Sequence, residues 1–411
     1  MSPGPAPSPG TSSHRQPRGK RSPHILLVSR SVAWRDAVRD AATSLGGKAS
    51  IARGGRDALA RLATVSPHYS HLLVERSDAE GLFNALADLA REVAGPDTDM
   101  LVLGGETAAN PRVRAIRRAD RGSVIEALMA DPPPRDADAI DLSELRAALD
   151  GARIDTRYQP IVRLADRLPV GLEALARLNH PAQGVVLPDR FIPIIEDAGL
   201  AGRLTDIVSG RALTDLAGPV LASQGLAPQG LAPQGLAPQG LVMALNFPLD
   251  VLLHPAALHR LEALRLSSGI APERIIIELT ESRPVEDFAT LGRSLESLRS
   301  LGYCAAIDDV GPAVPRLGPL LELPFTSLKL DKERVQRVNT DPDARSFLHR
   351  TIASAKARGL TVVAEGVETA EIWDAMRALG ADEAQGFLVA RPLPLAAVPV
   401  WLEHWSNTAQ P

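Results

Sequence analysis

From residue 153 onward, apolar and polar positions follow a regular beat. Short apolar or alternating runs recur at Arg157–Val162, Val170–Leu178, Val242–Phe247, Arg274–Leu279, Tyr303–Asp308, Ser327–Leu330, Thr361–Ala364 and Ala384–Val389. Between most of them, apolar residues recur at helical spacing, as in Ala257–Leu266, Leu291–Leu301, Ser346–Ala357 and Glu371–Leu379. Period-2 runs read as strands and period-3.6 runs as helices. Eight such steps predict an α/β fold of (β/α)₈, TIM-like barrel type.

Residues 24–130 beat differently. Apolar runs at His24–Val28, Leu72–Val74 and Met100–Leu103 alternate with amphipathic stretches at Val32–Leu45, Asp57–Val65 and Phe83–Val93. This rhythm predicts a small doubly wound α/β domain with helices on both faces of a parallel sheet.

The 34 prolines and 32 glycines mark where the pattern breaks. Residues 1–22 form a Pro/Ser-rich tail, basic at its end, without the apolar core of a signal peptide. Asp131-Pro132-Pro133-Pro134-Arg135 cannot lie in a helix or central strand. We therefore assign 23–130 to the first domain, 131–140 to a stiff linker and 141–405 to the barrel. Asp141 can cap the helix that opens the barrel, where Leu142, Leu145, Ala148 and Leu149 share a face. Within the barrel, 224–241 carries Gln-Gly-Leu-Ala-Pro in tandem, which reads as an expansion of a surface loop.

Composition narrows the function classes. Apolar residues make up 45% of the chain, enough for buried cores, and aromatics only 3%, so those cores are aliphatic. The 45 basic and 49 acidic side chains nearly balance, which argues against a nucleic-acid polymer as partner. The lone Cys304 excludes a disulfide framework and a cysteine zinc site. No apolar run is long enough to span a membrane, and a cytoplasmic protein is expected.

Polar residues stand at or just beyond the C-terminal ends of the barrel strands: Glu173, Asn246, Glu278, Asp308, Asp309, Lys329, Asp331, Glu365 and Gln385. Active sites of such barrels lie on that face. A single carboxylate there could simply cap a helix. Six carboxylates from five strands would instead repel one another in a cleft unless cations neutralise them. All-oxygen ligands suit Mg²⁺ or Mn²⁺, and adjacent Asp308 and Asp309 can serve two ions, the layout for hydrolysing a phosphate ester.

Two resemblances add to this. The element order of 24–130 resembles a response-regulator receiver domain. Ser29-Arg30-Ser31 follows the first strand, Glu75 stands where the phospho-acceptor Asp would be, and Arg118 lies near the place of the Lys. The resemblance therefore implies a degenerate receiver-like module that takes no phosphate and serves dimerisation, partner docking or control.

The barrel resembles EAL domains, the cyclic di-GMP phosphodiesterases. The matching residues are Tyr158-Gln159-Pro160-Ile161, Glu173-Ala174-Leu175-Ala176-Arg177, Asn246-Phe247-Pro248 and Glu278-Leu279-Thr280-Glu281-Ser282. Asp308-Asp309, Leu328-Lys329-Leu330-Asp331, Ala364-Glu365-Gly366-Val367-Glu368-Thr369 and Gln385-Gly386-Phe387 follow in order. The family implies a barrel with one antiparallel strand, hydrolysis of cyclic di-GMP to linear pGpG, two Mg²⁺ or Mn²⁺ ions and a homodimer. It implies Glu173, Asn246, Glu278 and Asp308 on one ion and Asp309 and Asp331 on the other, with a bridging role for Asp308 open. Lys329, Glu365 and Gln385 become the catalytic set around the attacking water. Gln159 and Arg177 contact substrate, Glu281 anchors the loop after Asp309, and Glu368 supports the site.

The chain departs from the family in that loop. Val310-Gly311-Pro312-Ala313-Val314-Pro315-Arg316 stands in place of Phe-Gly-Thr-Gly-Tyr-Ser-Ser. Leu178 also replaces a Trp, and Phe247-Pro248 replaces Leu-Ser. Two readings follow. The complete acid, Asn, Lys and Gln set points to a phosphodiesterase, weak or regulated. The altered loop points to a catalytically impaired cyclic di-GMP receptor or scaffold.

Overall fold

The computed structural model describes residues 22–63, 69–93, 99–104, 113–130, 140–181, 183–222, 240–280, 285, 287–312 and 317–408. The N-terminal tail, nearly all of the proline linker and the tandem repeat lie outside the described residues.

The first domain is a five-stranded parallel sheet. Its strands are β1 (His24–Val28), β2 (Lys48–Ala52), β3 (His71–Glu75), β4 (Asp99–Leu103) and β5 (Val113–Ile116), in the order β2-β1-β3-β4-β5. Helices α1 (Val32–Ser44), α2 (Gly55–Ala63), α3 (Phe83–Val93) and α4 (Arg121–Met129) connect and flank it. β1 reads as an unbroken apolar run because Ile25, Leu26, Leu27 and Val28 are all buried, with helices on both faces. β2 was not among the expected strands. It is an edge strand of sequence Lys-Ala-Ser-Ile-Ala, mostly half-buried, so it lacks the apolar signal of its neighbours.

At the carboxyl end of β1 the Ser29 hydroxyl donates to Glu75 Oε2 at 2.6 Å. The Arg30 backbone donates to Asp78 at 2.6 Å. Serine and glutamate thus meet where a receiver domain would gather its acids.

Helix α5 (Leu142–Asp150) opens the second domain, capped by Asp141, which accepts from Glu144 N at 2.8 Å. Nine strands follow: β6 (Ile154–Arg163), β7 (Pro169–His180), β8 (Gly184–Val186), β9 (Val242–Pro248), β10 (Ile275–Thr280), β11 (Cys304–Val310), β12 (Ser327–Leu330), β13 (Thr361–Ala364) and β14 (Glu383–Ala384). Eight of them close a barrel in the order β6-β14-β13-β12-β11-β10-β9-β7 and back to β6. β6 runs antiparallel to both its neighbours, as expected. β8, which carried no expectation, is a short strand that folds back on the end of β7.

The last strand is shorter than the predicted Ala384–Val389. Gly386 ends it: at φ 155° a Cβ there would lie 2.3 Å from Val367 N. The chain turns at this close approach, and Ala390 N donates back to Gly386 O at 3.0 Å.

The two domains are in contact. Arg391 N donates to Ala63 O, at the end of α2, at 3.1 Å. Arg157 on β6 pairs with Asp88 on α3 at 3.4 Å. Arg56 at the start of α2 pairs with Glu403 on the C-terminal helix Val398–Thr408 at 3.1 Å. One continuous apolar core joins Leu59 and Leu86 of the first domain to Tyr158 and Trp401 of the second. Among the described residues no helix is long and apolar enough to cross a membrane.

Candidate active site at the carboxyl rim of the barrel

Strand register, parallel between β9 and β10 and antiparallel between β6 and β7, sets the site. Glu278 lies opposite Asn246 across β10 and β9, and Gln159 opposite Glu173 across β6 and β7. Alternation along a strand then points these side chains to the same face. Lys329, on β12, is the centre. Its ammonium lies 2.8 Å from Glu365, 3.1 Å from Glu278, 3.2 Å from Asp308 and 3.4 Å from Glu173, and its side chain is only 2% exposed.

Four carboxylates surround one ammonium, and the titration of each follows from that. Burial raises Lys329's cost of charging, but the four acids outweigh it and hold the ammonium firmly protonated. Burial pushes Glu278 well above the ordinary glutamate range; Lys329 opposes this, while Glu173, Asp308 and Glu365 add to it. Burial likewise lifts Asp308 to about 6 and Glu365 to about 8, with Lys329 opposing and Glu173 and Asp309 adding to both. Burial would raise Glu173 too. There Lys329 and two amide donors prevail and hold it below the usual range.

Those donors are Asn246 Nδ2, 2.9 Å from Glu173 Oε1, and Gln385 Nε2, 2.6 Å from Glu173 Oε2. Gln385 Nε2 also reaches Gln159 Oε1 at 3.1 Å. Gln159 Nε2 in turn donates to Ala390 O at 3.1 Å. That carbonyl is a site participant the sequence could not announce, because backbone groups carry no residue signature.

Asp309 leaves the strand in the left-handed region, at φ 51°, where the β11–β12 register shifts between Ile307 and Val310. Its backbone N–H donates to Asp308 Oδ1 at 2.9 Å. Asp308, Asp309 and Glu365 each offer a carboxylate oxygen within 4.8 Å of the others. Hard oxygen donors in excess over one ammonium fit divalent cations.

Other expected residues stand apart from Lys329. Asp331 caps the helix Lys332–Gln336, accepting from Arg334 N at 3.2 Å. Its backbone N–H is held by Val310 O at 3.2 Å, beside the bulge. Glu368 accepts from Gln336 at 2.9 Å on the same helix's side. Arg177 is buried on β7, with Nη1 donating to Ala176 O at 2.8 Å. Glu281 and residues 313–316 of the altered loop lie outside the described residues. Gly311 and Pro312 are described, and a Cβ on Gly311 would sit 3.4 Å from Asp331 Cβ.

Residues 142–392 match the EAL domain, well over half of the chain. The chain belongs to the EAL domain family. It is 32% identical over 270 residues to the cyclic di-GMP phosphodiesterase RocR of Pseudomonas aeruginosa, covering 64% of this chain and 64% of that protein. It is 33% identical over 268 residues to the cyclic di-GMP phosphodiesterase NbdA of the same organism, covering 65% of this chain and 32% of that one. The EAL chain thus spans less than two thirds of these relatives. Its fold is similar to the solved PaMucR phosphodiesterase in complex with c-di-GMP, with a TM-score of 0.55 and 29% identity over 62% of this chain and 97% of that one.

Proposed function

We propose that this chain hydrolyses cyclic di-GMP to linear pGpG with two divalent cations, Mg²⁺ or Mn²⁺, as cofactors. The observation that carries the reading is Lys329, buried among Glu173, Glu278, Asp308 and Glu365. Burying four acids around one ammonium is costly to a fold, and a cluster perturbed in this way marks chemistry rather than packing. Relatives named as cyclic di-GMP phosphodiesterases support the substrate.

Glu173, Asn246, Glu278 and Asp308 would hold one cation, and Asp309 with Asp331 the other. Bound divalent cations supply Lewis-acid stabilisation of the phosphoryl oxygens and acidify water. The chain's own groups do the rest. Lys329 fixes the orientation of its four carboxylates and adds positive charge beneath the scissile phosphate. Glu365 is the most open of the four, with its side chain 15% exposed, and is the base that takes the proton of incoming water. Water's oxygen bonds to phosphorus, the bond to the 3′ oxygen breaks, and that oxygen leaves with a proton. Gln385 fixes Glu173 from the far side. Arg177 offers a planar guanidinium to a phosphate, and Gln159 contacts the nucleotide.

The test is turnover of cyclic di-GMP by purified protein with Mg²⁺ or Mn²⁺, read as pGpG by chromatography. We expect product with the native chain and none with Glu173→Ala or Lys329→Ala. Tight binding without product in either metal would overturn the enzyme and leave a receptor.

A further inference from the structure

One peptide group joins the two domains to the site. The peptide between Ala390 and Arg391 accepts from Gln159 Nε2 at 3.1 Å through its oxygen. Through its N–H it donates to Ala63 O at 3.1 Å. Ala63 is the last residue of α2, so its carbonyl is one of the acceptors a helix end leaves without a partner inside the helix. The barrel supplies that partner. From the same peptide the bonds run on through Gln159 and Gln385 to Glu173. Hydrogen bonds in such a chain polarise one another, and the shared peptide plane ties their directions together.

A second contact holds the other end of the same segment. Arg157 stands two residues before Gln159, on the same face of β6, and is 2% exposed. Its guanidinium is paired with Asp155 at 2.6 Å and with Asp88 of α3 at 3.4 Å. Asp88 comes from the first domain. A planar guanidinium between two carboxylates is held in one orientation, and the strand under it is held with it.

We propose that the N-terminal α/β domain positions the barrel's site: α2 and α3 clamp the Ala390–Arg391 peptide and β6, and thereby set the Gln159 and Gln385 amides that orient Glu173. Asp88 is a positioning residue in this scheme; it touches no reacting atom. The inference rests on the phosphodiesterase reading for its activity arm and stands without it in the others. Glu173 is a candidate cation ligand, and loosening the groups that orient a ligand weakens cation binding as well as rate.

The experiment uses the full chain with three variants. Asp88→Ala removes the contact, and Asp88→Glu offers a carboxylate again. Glu403→Ala breaks the exposed ion pair with Arg56, at the same interface but off the path to Gln159. Five quantities are read: kcat and KM for cyclic di-GMP, Mn²⁺ affinity by calorimetry, exchange of the Arg391 amide, and the melting point. In Asp88→Ala we expect kcat to fall roughly 3–30-fold, the range of modest coupling between distant groups, with KM nearly unchanged. Mn²⁺ affinity falls with it and the Arg391 amide exchanges faster, while the chain stays folded. Asp88→Glu restores most of the loss, and Glu403→Ala changes neither kcat nor Mn²⁺ affinity.

Unchanged Mn²⁺ affinity and amide exchange in Asp88→Ala would sink the proposal. So would a rise in kcat, which would make the domain a restraint. A native chain without turnover would end the phosphodiesterase reading, yet cation affinity and amide exchange would still decide the coupling.

Discussion

Glu383 shows what a single side chain in this barrel costs and what it hides. It lies on β14 opposite Arg163, fully within the wall, and carries no expected role. Burial, helped by neighbouring Asp382 and opposed by Arg163, pushes its carboxyl up to about 8. The unfolded chain ionises near the ordinary glutamate value of 4.5. Between those two values the native state holds a proton that the unfolded state has lost, so stability falls as pH rises. It is complete below about 4.5 and lost through about 8. Glu383→Gln removes this dependence. Its melting point, scanned from pH 5 to 9, should exceed that of the native chain by several degrees at pH 8 and approach it at pH 5. A constant difference across the range would refute the assignment. Sequence alone could not find Glu383, because the expected strand began at Ala384 and left Glu383 outside the barrel wall. Lys329 and the rim acids were legible, because polar groups at the ends of barrel strands stand out against aliphatic runs. Their roles still needed the fold: Asp331 turns out to cap a helix, and Glu368 to bind Gln336.

At the scale of the element, the end of β11 stores backbone strain beside the site. Asp309 holds a left-handed backbone at φ 51°, and its charge raises both Asp308 and Glu365. Side chains with a Cβ find that region unfavourable by about 1 kcal/mol, though aspartate tolerates it better than most. Asp309→Gly relieves the backbone and one repulsion together. In a chelating buffer the variant should resist urea better than the native chain. With saturating Mg²⁺ the order should reverse and turnover should be lost, because the cation ligand proposed above is gone. Lower stability in the chelating buffer would contradict this account. Strand positions were readable wherever an apolar run is buried on both faces, as in β1, β12 and β13. They were not readable at the edge strands β2, whose sequence Lys-Ala-Ser-Ile-Ala is mostly half-buried, and β8, which is only three residues long. Nor was the end of β14, where a backbone approach between Gly386 and Val367 decides the turn.

At the scale of the molecule, the two domains share a core rather than merely a linker. Leu86 of α3 is fully buried, and it belongs to the same apolar cluster as Tyr158, Leu178 and Trp401 of the barrel. Two units joined by a flexible tether unfold independently, whereas units that bury one another's apolar surface unfold together. The rhythm of the sequence predicted two domains from their separate periodicities. It could not predict this contact, because a helix face that packs on a second domain has the same pattern as one that packs on its own sheet. Leu86→Ala tests the difference. Truncating a buried leucine costs about 2–5 kcal/mol. If the core is continuous, calorimetry should show one transition that moves down as a whole, barrel included. Independent domains would instead give an early transition for the first domain and leave the barrel's melting untouched. The barrel's response reports how firmly α2 and α3 are seated on it, which is the condition for any influence of the first domain on Glu173.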